Sequence, residues 1–422
     1  MADHYDVLIV GGGMVGASLA CALGNSGLRL AVIESREPKT FDPSVHDLRV
    51  SAVTRASQRI FEVLQAWQGM VERRACPFRR MLVWDGEGRG ETRFDCADIA
   101  EPTLGHMVEN SVIQLALYER LRQFNNVDWF CPAALDQLDL SRAKLVLEDG
   151  RALRYRLIVG ADGARSKVRD LAGIECDSLE YKQHALIANI KTRLPQQDIT
   201  WQCHARTGPQ AFLPLTENRA SIVWYHSPEQ VQRLLALSED EFADELGRAF
   251  PSRLGGIESI DGRGSFPLCR RHARRYVLPG LALIGDAAHI IHPHIGQGVN
   301  LGLLDAAALA EVMLGARVAS RNPASLPVLR RYERWRRGYN LAFMGFSEIV
   351  YHAFAQQHLP LRMVRSGLFT IADQIGPINR LCMRYAMGLL GDLPRLAQGK
   401  PPLQHAAQRL SSNVVYSRRQ PR

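Results

Sequence analysis

Short apolar runs that predict strands alternate along this chain with longer periodic stretches that predict helices. The N-terminal part has apolar runs at residues 5–10 and 29–34, with a helical stretch at 14–26 between them. Two later apolar runs, 155–160 and 281–285, each lead into a loop that contains an aspartate. Strand-length runs separated by helices are typical of parallel βαβ units. The pattern therefore predicts an α/β protein built around a Rossmann-like domain.

A different pattern separates the second unit from the third. Four strand-like segments with turn residues between them predict an inserted antiparallel sheet, and two short helices follow it. They are residues 185–190, 200–205, 210–215 and 220–225, then 229–237 and 239–250. A long helix is predicted at 298–314, and amphipathic helices at 341–354 and 361–374 precede a polar tail.

The dinucleotide domain is thus predicted to be discontinuous in sequence. Its limits are 1–74, 97–181 and 270–337; those of the inserted substrate domain are 75–96 and 182–269; and the C-terminal helices and tail take 338–422.

The composition indicates a folded protein in a reducing compartment. The 422 residues are 46% hydrophobic and 23% charged, and the eight cysteines form no C-x-x-C pair. The N-terminus lacks a basic signal region, and no uninterrupted apolar run reaches the ~18 residues of a membrane-spanning helix. We expect a cytoplasmic protein, at most peripheral to the inner membrane.

The net charge of +9 includes two arginine clusters, at 270–275 and 330–337. Nucleic acid is not expected as a partner, because the chain contains no recognisable nucleic-acid-binding module. Solvated helix faces and loop edges are the ordinary interpretation of such clusters. An anionic membrane surface or an acidic partner is the alternative.

A glycine-rich turn follows the first predicted strand and opens the first predicted helix. Gly11 permits a tight turn, Gly13 lets the backbone approach a pyrophosphate, and Gly16 allows close helix packing. The helix N-terminus adds unpaired N–H groups for the phosphates. Glu34 ends the next strand, where a carboxylate can bind a ribose hydroxyl. These features predict dinucleotide binding but do not distinguish FAD from NAD.

Two further segments suggest FAD. Residues 157–169, LIVGADGARSKVR, and 283–302, LIGDAAHIIHPHIGQGVNLG, resemble the second and third fingerprints of the class A flavin monooxygenases, the p-hydroxybenzoate hydroxylase-like group. The resemblance extends over nearly the whole chain. It implies that fold, with FAD as cofactor and NADPH or NADH as electron donor. It also implies a set of residues that contact the flavin ring, its ribityl chain or the nicotinamide cofactor. These residues are Arg49, Gln114, Asp162, Gly163, Asp286, Pro293, Gly296, Gln297 and Gly298.

Within that group the chain resembles the ubiquinone-biosynthesis hydroxylases, on segments such as 76–80, 105–111, 211–215, 221–228 and 250–255. The resemblance implies that a polyprenylated benzoquinol, most specifically 3-demethoxyubiquinol, is hydroxylated with O₂ through a C4a-hydroperoxyflavin. It leaves open whether another position of the ring is hydroxylated in the same pathway. It also leaves open whether the protein joins a biosynthetic assembly or forms a homo-oligomer. A reductase acting without O₂ and an FAD-bearing scaffold are alternatives, and a halogenase is disfavoured because W-x-W-x-I-P is missing.

One loop departs from the family pattern. The usual His-Pro-Leu-Ala-Gly-Gln-Gly is here His-Pro-His-Ile-Gly-Gln-Gly at 292–298. We hypothesise that His294, beside Pro293, hydrogen-bonds a substrate hydroxyl and is the residue nearest to a catalytic side chain. His289, His292 and His294 also suggest a metal site, which we set aside because Pro293 interrupts the helical spacing that such ligands need.

Overall fold

The computed structural model describes residues 3–86, 90–205, 207–250, 254–292, 296–355 and 376–403. The strands are β1 (His4–Val10), β2 (Leu30–Ile33), β3 (Val50–Thr54), β4 (Ala75–Phe78), β5 (Arg80–Asp85), β6 (Glu91–Asp95), β7 (Gly105–Glu109), β8 (Val127–Phe130), β9 (Leu135–Asp139), β10 (Lys144–Leu147), β11 (Ala152–Gly160), β12 (Cys176–Thr192), β13 (Ile199–Ala205), β14 (Gly208–Pro214), β15 (Arg219–His226), β16 (Ile257–Ala273), β17 (Val277–Leu278), β18 (Leu281–Leu283) and β19 (His289–Ile290). The helices are α1 (Met14–Leu23), α2 (Arg55–Val63), α3 (Trp67–Arg73), α4 (Asn110–Leu121), α5 (Lys167–Leu171), α6 (Pro228–Ala236), α7 (Glu239–Ala249), α8 (Gly298–Val318), α9 (Leu326–Ala355) and α10 (Gly376–Ala386).

The first sheet brings the ends of three predicted strands into one row. Its order is β17-β18-β11-β1-β2-β8, with β9 and β10 extending it beside β11. Strand β1 runs parallel to β11 and β2, and β11 runs parallel to β18. Val10 pairs with Gly160 and with Ile33, and Gly160 pairs with Leu283. The loops that follow these strands therefore share one edge of the sheet, where ligands of open α/β sheets bind.

Helices α1 and α8 form much of the core beside this sheet. Both are apolar on nearly all faces because they are buried on nearly all faces. In the described part of the chain, α8 alone is long and apolar enough to cross a membrane, but 83% of its most apolar window is buried inside the protein. That burial is typical of a core helix.

The second sheet covers the row of loops. Its order is β19-β16-β12-β15-β14-β13-β5-β6, and β12 pairs antiparallel with β16 over most of its length. One face packs against α6 and α7 through residues such as Leu186, Ile222 and Phe242. On the opposite face, Asn189 Nδ2 donates to Asp47 O at 3.0 Å, and Phe266 lies beneath Arg49. That face is turned towards the first domain.

A small antiparallel sheet, β3-β7-β4, joins the two larger ones. Its strand β3 begins immediately after Arg49, and its strand β7 leads directly into α4, which carries Gln114. This sheet therefore positions two of the predicted flavin contacts from the side.

The predicted fold class is confirmed: a discontinuous Rossmann-like domain with an inserted antiparallel sheet and C-terminal helices. The domain limits stay a prediction, and two of them, at 181/182 and 269/270, fall inside β12 and β16, which run from one domain into the other. Strand β16 was missed by the sequence pattern. The predicted helix 341–354 is the second half of α9, which begins at Leu326. The predicted helix 361–374 lies outside the described residues.

Candidate active site

The glycine-rich turn closes against the loop that follows β11. Gly11 has φ of +101°, and a Cβ on it would lie 2.4 Å from Ala161 O. A Cβ on Gly16 would lie 1.9 Å from Gly11 O. Gly11 therefore has to be glycine for its positive φ and its close backbone contact, and Gly16 for its close backbone contact. The first and second sequence motifs are thus in direct backbone contact.

Gly13 leaves open space at the start of α1. It is the N-cap residue, and the nearest atom to a Cβ built there is Gln114 Nε2 at 3.9 Å. Helix α1 has no side-chain cap and no acidic residue in its first turn. Its N-terminal N–H groups and the positive end of its dipole therefore face this space, which suits a phosphate group.

Glu34 lies beside the same turn. Its Oε2 accepts a hydrogen bond from Gly12 N at 2.7 Å, and its Oε1 accepts one from Arg36 N at 3.1 Å. These backbone donors fix the carboxylate at the end of β2, where the sequence predicted a ribose contact.

Asp162 uses its carboxylate within its own loop. It accepts hydrogen bonds from Ser166 Oγ at 2.5 Å and from Val168 N at 3.1 Å, and so supports the start of α5. Burial raises the pKa of this carboxyl, and the hydrogen bonds oppose that rise. Gly163 has φ of +79° with open space around it. This loop therefore offers a cofactor its backbone more than its Asp162 side chain.

The third motif reaches the same edge through Gly285 and Asp286. A Cβ on Gly285 would lie 3.2 Å from Val15 Cγ1 of α1, so the third motif packs on the helix that the first motif opens. The Asp286 side chain is exposed, although the protein around it is dense enough for burial to raise the pKa of its carboxyl. The charges of His289 and Arg49 oppose that rise. These properties place Asp286 on the floor of a cleft.

The start of α8 completes this part of the cleft. Gly296 has φ of +62°, and among the described residues no atom lies within 4 Å of a Cβ built on Gly296 or Gly298. Gln297 is the N-cap residue, but its side chain is buried and its Nε2 donates to Ala386 O at 3.0 Å. Gln297 therefore ties α8 to α10, and only its backbone is free to approach a cofactor. Pro293, His294 and Ile295 lie outside the described residues.

A buried ionic network behind Asp286 was missed by the sequence reasoning. Asp305 Oδ2 accepts a hydrogen bond from Gly285 N at 3.2 Å and lies 2.5 Å from His289 Nε2. The other oxygen, Oδ1, accepts hydrogen bonds from Arg336 Nε at 2.8 Å and from Asn340 Nδ2 at 3.1 Å. Burial alone would raise the pKa of Asp305, but its interactions with His289 and Arg336 lower it to about 2. The network anchors the loop that presents Asp286. Its sequence signal is one aspartate within an otherwise apolar helix.

His292 is a second missed residue. It is fully buried, and its ring lies 4.4 Å from that of Tyr181 and 4.9 Å from that of Tyr351, centroid to centroid. Tyr181 belongs to β12 of the second sheet and Tyr351 to α9. His292 therefore joins the second sheet to α9 immediately before residue 293.

Comparisons with known proteins agree with this architecture. Residues 4–342 match the family model described as FAD binding domain. The 3-demethoxyubiquinol 3-hydroxylase of Escherichia coli K12 is 40% identical over 91% of this chain and 98% of its own. The ubiquinone hydroxylase UbiL of Rhodospirillum rubrum is 36% identical over 94% and 93%. In fold, p-nitrophenol 4-monooxygenase from Pseudomonas putida DLL-E4 matches with a TM-score of 0.75, at 22% identity over 92% of this chain and 99% of that one.

The chain belongs to the class A FAD-dependent aromatic hydroxylases and, within them, to the family of the ubiquinone-biosynthesis hydroxylases. Its cofactor is FAD.

The cleft fits that cofactor on its own geometry. Two helices, α1 and α8, begin there without side-chain caps or acidic residues in their first turns. Within the described part of the chain, the Asp286 carboxylate has no hydrogen-bond partner. Its oxygens stay accessible although the surrounding protein raises its pKa, so the carboxylate is placed to accept a hydrogen bond from a ligand hydroxyl.

Proposed function

We propose that this protein hydroxylates the ring of a polyprenylated benzoquinol in ubiquinone biosynthesis, at the position modified by the 3-demethoxyubiquinol hydroxylases. The observation that carries the proposal is the 40% identity to the E. coli 3-demethoxyubiquinol 3-hydroxylase over 98% of that protein. Because the similarity includes the inserted sheet as well as the cofactor motifs, it bears on the substrate side of the cleft.

Bound FAD supplies the redox chemistry and the activation of O₂ that side chains lack. The chain's own residues hold and orient it. We assign the pyrophosphate to the start of α1 at Gly13, a ribose hydroxyl to Glu34, and the ribityl hydroxyls to Asp286. The uncapped start of α8 would direct its positive dipole end at the bound flavin, where it would favour negative charge. Arg49 adds a cation above the same cleft.

The inserted sheet excludes water from the reacting atoms. Its cleft-facing side carries Phe266, and Tyr181 and Tyr225 surround His292 at the neighbouring end. Such aromatic surroundings suit a quinol ring and keep bulk water from the flavin. We retain His294 as the proposed hydrogen-bond partner of a substrate hydroxyl and Pro293 as a backbone neighbour of the flavin. An unchanged rate and pH profile in His294→Leu would contradict the role of His294.

Further parts of the proposal concern the donor, the partners and the location. NADPH or NADH donates the electrons, and O₂ and a polyprenyl quinol are the co-substrates. We place the protein in the cytoplasm with peripheral contact to the inner membrane, where the quinol resides. A homo-oligomer and a biosynthetic assembly are compatible with this placement.

Quinone profiling tests the proposal. The chain is expressed in an E. coli strain that lacks its own 3-demethoxyubiquinol 3-hydroxylase, beside the variant Asp286→Asn as a matched control. We expect the wild type to restore ubiquinone and the variant to restore much less. The purified protein should carry FAD and oxidise NADPH or NADH faster with a demethoxyquinol analogue under air. Colourless protein that FAD does not reconstitute, or equal turnover without O₂, would overturn the proposal.

A second candidate is hydroxylation of another ring carbon, because the R. rubrum relative, 36% identical, is named a ubiquinone hydroxylase with no ring position stated. Complementation of strains that each lack one hydroxylase separates the two. Restoration of a different strain, with continued accumulation of demethoxyubiquinone in the first, would favour this second candidate.

A further inference from the structure

The two arginine clusters that are separate in sequence meet at one groove of about 530 Å³. The groove lies between the segment that precedes β17 and the first half of α9. Its charged lining consists of Arg274, Arg275, Arg330, Arg334, Arg337 and Glu333. The groove is separate from the cofactor cleft, and none of these residues has a role in the proposed function.

Most of the positive charge in this groove is uncompensated. Arg274 pairs with Glu175 and Asp177, and Glu333 uses its Oε1 to accept a hydrogen bond from Tyr276 N at 2.7 Å. The other four arginines form no ion pair with any residue that the structure describes.

Arg337 is half-buried at the wall of the groove. Its Nε is covered by protein and has no hydrogen-bond partner among the described residues, so the side chain can offer an anion only its outer N–H groups. Four guanidinium groups around one groove also repel one another, and a phosphate group relieves that repulsion while it accepts several N–H donors.

Helix α9 continues directly from this groove into an exposed apolar surface. Gly338 lines the groove, and beyond it the exposed fractions are 40% for Leu341, 47% for Phe346 and 69% for Ile349. Arg330, Arg334, Leu341 and Ile349 follow one another at helical spacing, so they share one face. This face is basic in its first half. Its second half carries Leu341 and Ile349 together with His352 and with Glu348, whose carboxylate is mostly buried and lies near Arg270.

Helix α10 widens the apolar half. Its Tyr385 ring stacks on Phe343 of α9 with centroids 5.6 Å apart. Ile378 and Leu381 lie on the same side of α10 as Tyr385 and are 42% and 59% exposed. No acidic residue lies within α10, where Arg380 and Arg384 are exposed. An apolar surface flanked by arginines is typical of proteins that lie on a membrane surface.

We propose that this groove and the adjoining face of α9 and α10 form a docking site for the surface of an anionic phospholipid bilayer. The unpaired arginines bind lipid phosphates, while Leu341, Phe346 and Ile349 enter the boundary between headgroups and acyl chains. A soluble anion would use the groove but would leave the apolar half exposed, which is why the bilayer is the favoured occupant. The proposal does not depend on which ring the enzyme hydroxylates.

Vesicle co-sedimentation tests it with the FAD-loaded full chain. The vesicles contain phosphatidylcholine either alone or mixed with phosphatidylglycerol. The wild type should bind the mixed vesicles only. Because a cation near an anionic leaflet contributes about 1 kcal/mol, the double variant Arg330→Gln/Arg334→Gln should bind about thirtyfold more weakly. Ile349→Gln should bind about tenfold more weakly, since it removes one inserted aliphatic side chain.

Matched controls separate the site from general charge and general polarity. Arg142→Gln/Arg248→Gln changes two exposed arginines elsewhere, and Val71→Gln changes an exposed valine of α3. Both controls should bind like the wild type. Every variant should keep its FAD content and its rate with a detergent-solubilised quinol, so a failed hydroxylation assay would not imply failed docking.

Three outcomes would overturn the proposal. The first is that the wild type binds both vesicle types equally or binds neither of them. The second is an equal loss in the control pair and the groove pair. The third is binding of inorganic phosphate that depends on Arg330 and Arg334, measured by calorimetry, while vesicle binding does not depend on them.

Discussion

Asp305→Asn is the substitution that best tests how the cofactor loop is held. Asp305 is fully buried and neutralises Arg336, which is 1% exposed. The asparagine keeps the size of the side chain and one carbonyl acceptor but removes the negative charge. It leaves the Arg336 guanidinium buried without a counter-ion, and it replaces the charged acceptor of Gly285 N.

Two magnitudes bound the expected loss of stability. The pKa of Asp305 is lowered from 3.8 to about 2, which corresponds to about 2 kcal/mol of stability carried by the ionised form. Removing one partner of a buried ion pair costs about 3–5 kcal/mol, because the remaining charge stays desolvated. We expect a loss of about 3 kcal/mol at neutral pH. Since the folded pKa lies below the unfolded one, this contribution is complete above about pH 4 and disappears as the pH falls towards 2.

Urea unfolding followed by tryptophan fluorescence measures this loss, with Asp149→Asn as the control. Asp149 and its partner Arg151 are both about half exposed, so solvent screens their interaction and the control should unfold close to the wild-type midpoint. Asp305→Asn should also weaken FAD binding about tenfold, because Asp286 directly follows Gly285. Equal stability losses in the two variants, or a difference that does not shrink below pH 4, would refute the assigned role of the network.

Three other substitutions probe the cleft. Gly11→Ala should abolish FAD binding, measured as flavin absorbance per protein, whereas Gly163→Ala should cost only about 1 kcal/mol of backbone strain and keep the flavin. Asp286→Asn should weaken FAD binding by about ten- to a hundredfold in calorimetry without lowering the unfolding midpoint of the cofactor-free protein, since its raised pKa indicates that the ionised form opposes folding.

The cofactor motifs were predictable from sequence because their requirements are local. Gly11 is needed for a positive φ and a close backbone approach, and both follow from a turn between a strand and a helix. The parallel order of the sheet then brings Glu34, Asp162 and Asp286 to one edge without further information.

The features that sequence did not reveal depend on distant partners. Asp305 is charged inside an apolar helix, and only the fold brings Arg336 and Asn340 from α9 to pair with it. The predicted backbone contact of Gln297 with the flavin stays a prediction, but its side-chain hydrogen bond to Ala386, which is distant in sequence, was not evident. Strand β16 mixes polar and apolar residues because its neighbours change along its length, so it shows no clear alternation.

Asp286 and Asp305 are treated in opposite ways by the same part of the fold. Asp305, which contacts the loop from behind, has four hydrogen-bond partners around it, Arg336 among them, and its pKa falls. Asp286, on the cleft side of the loop, has no hydrogen-bond partner in the described part of the chain, and its pKa rises. A loop that had to contribute only stability would gain from satisfying both carboxylates. Here Asp305 anchors the loop, and Asp286 is left accessible on its cleft side, which is the arrangement expected where Asp286 binds a ligand. The helix N-termini that face the same space indicate that this ligand carries phosphate groups as well as hydroxyls.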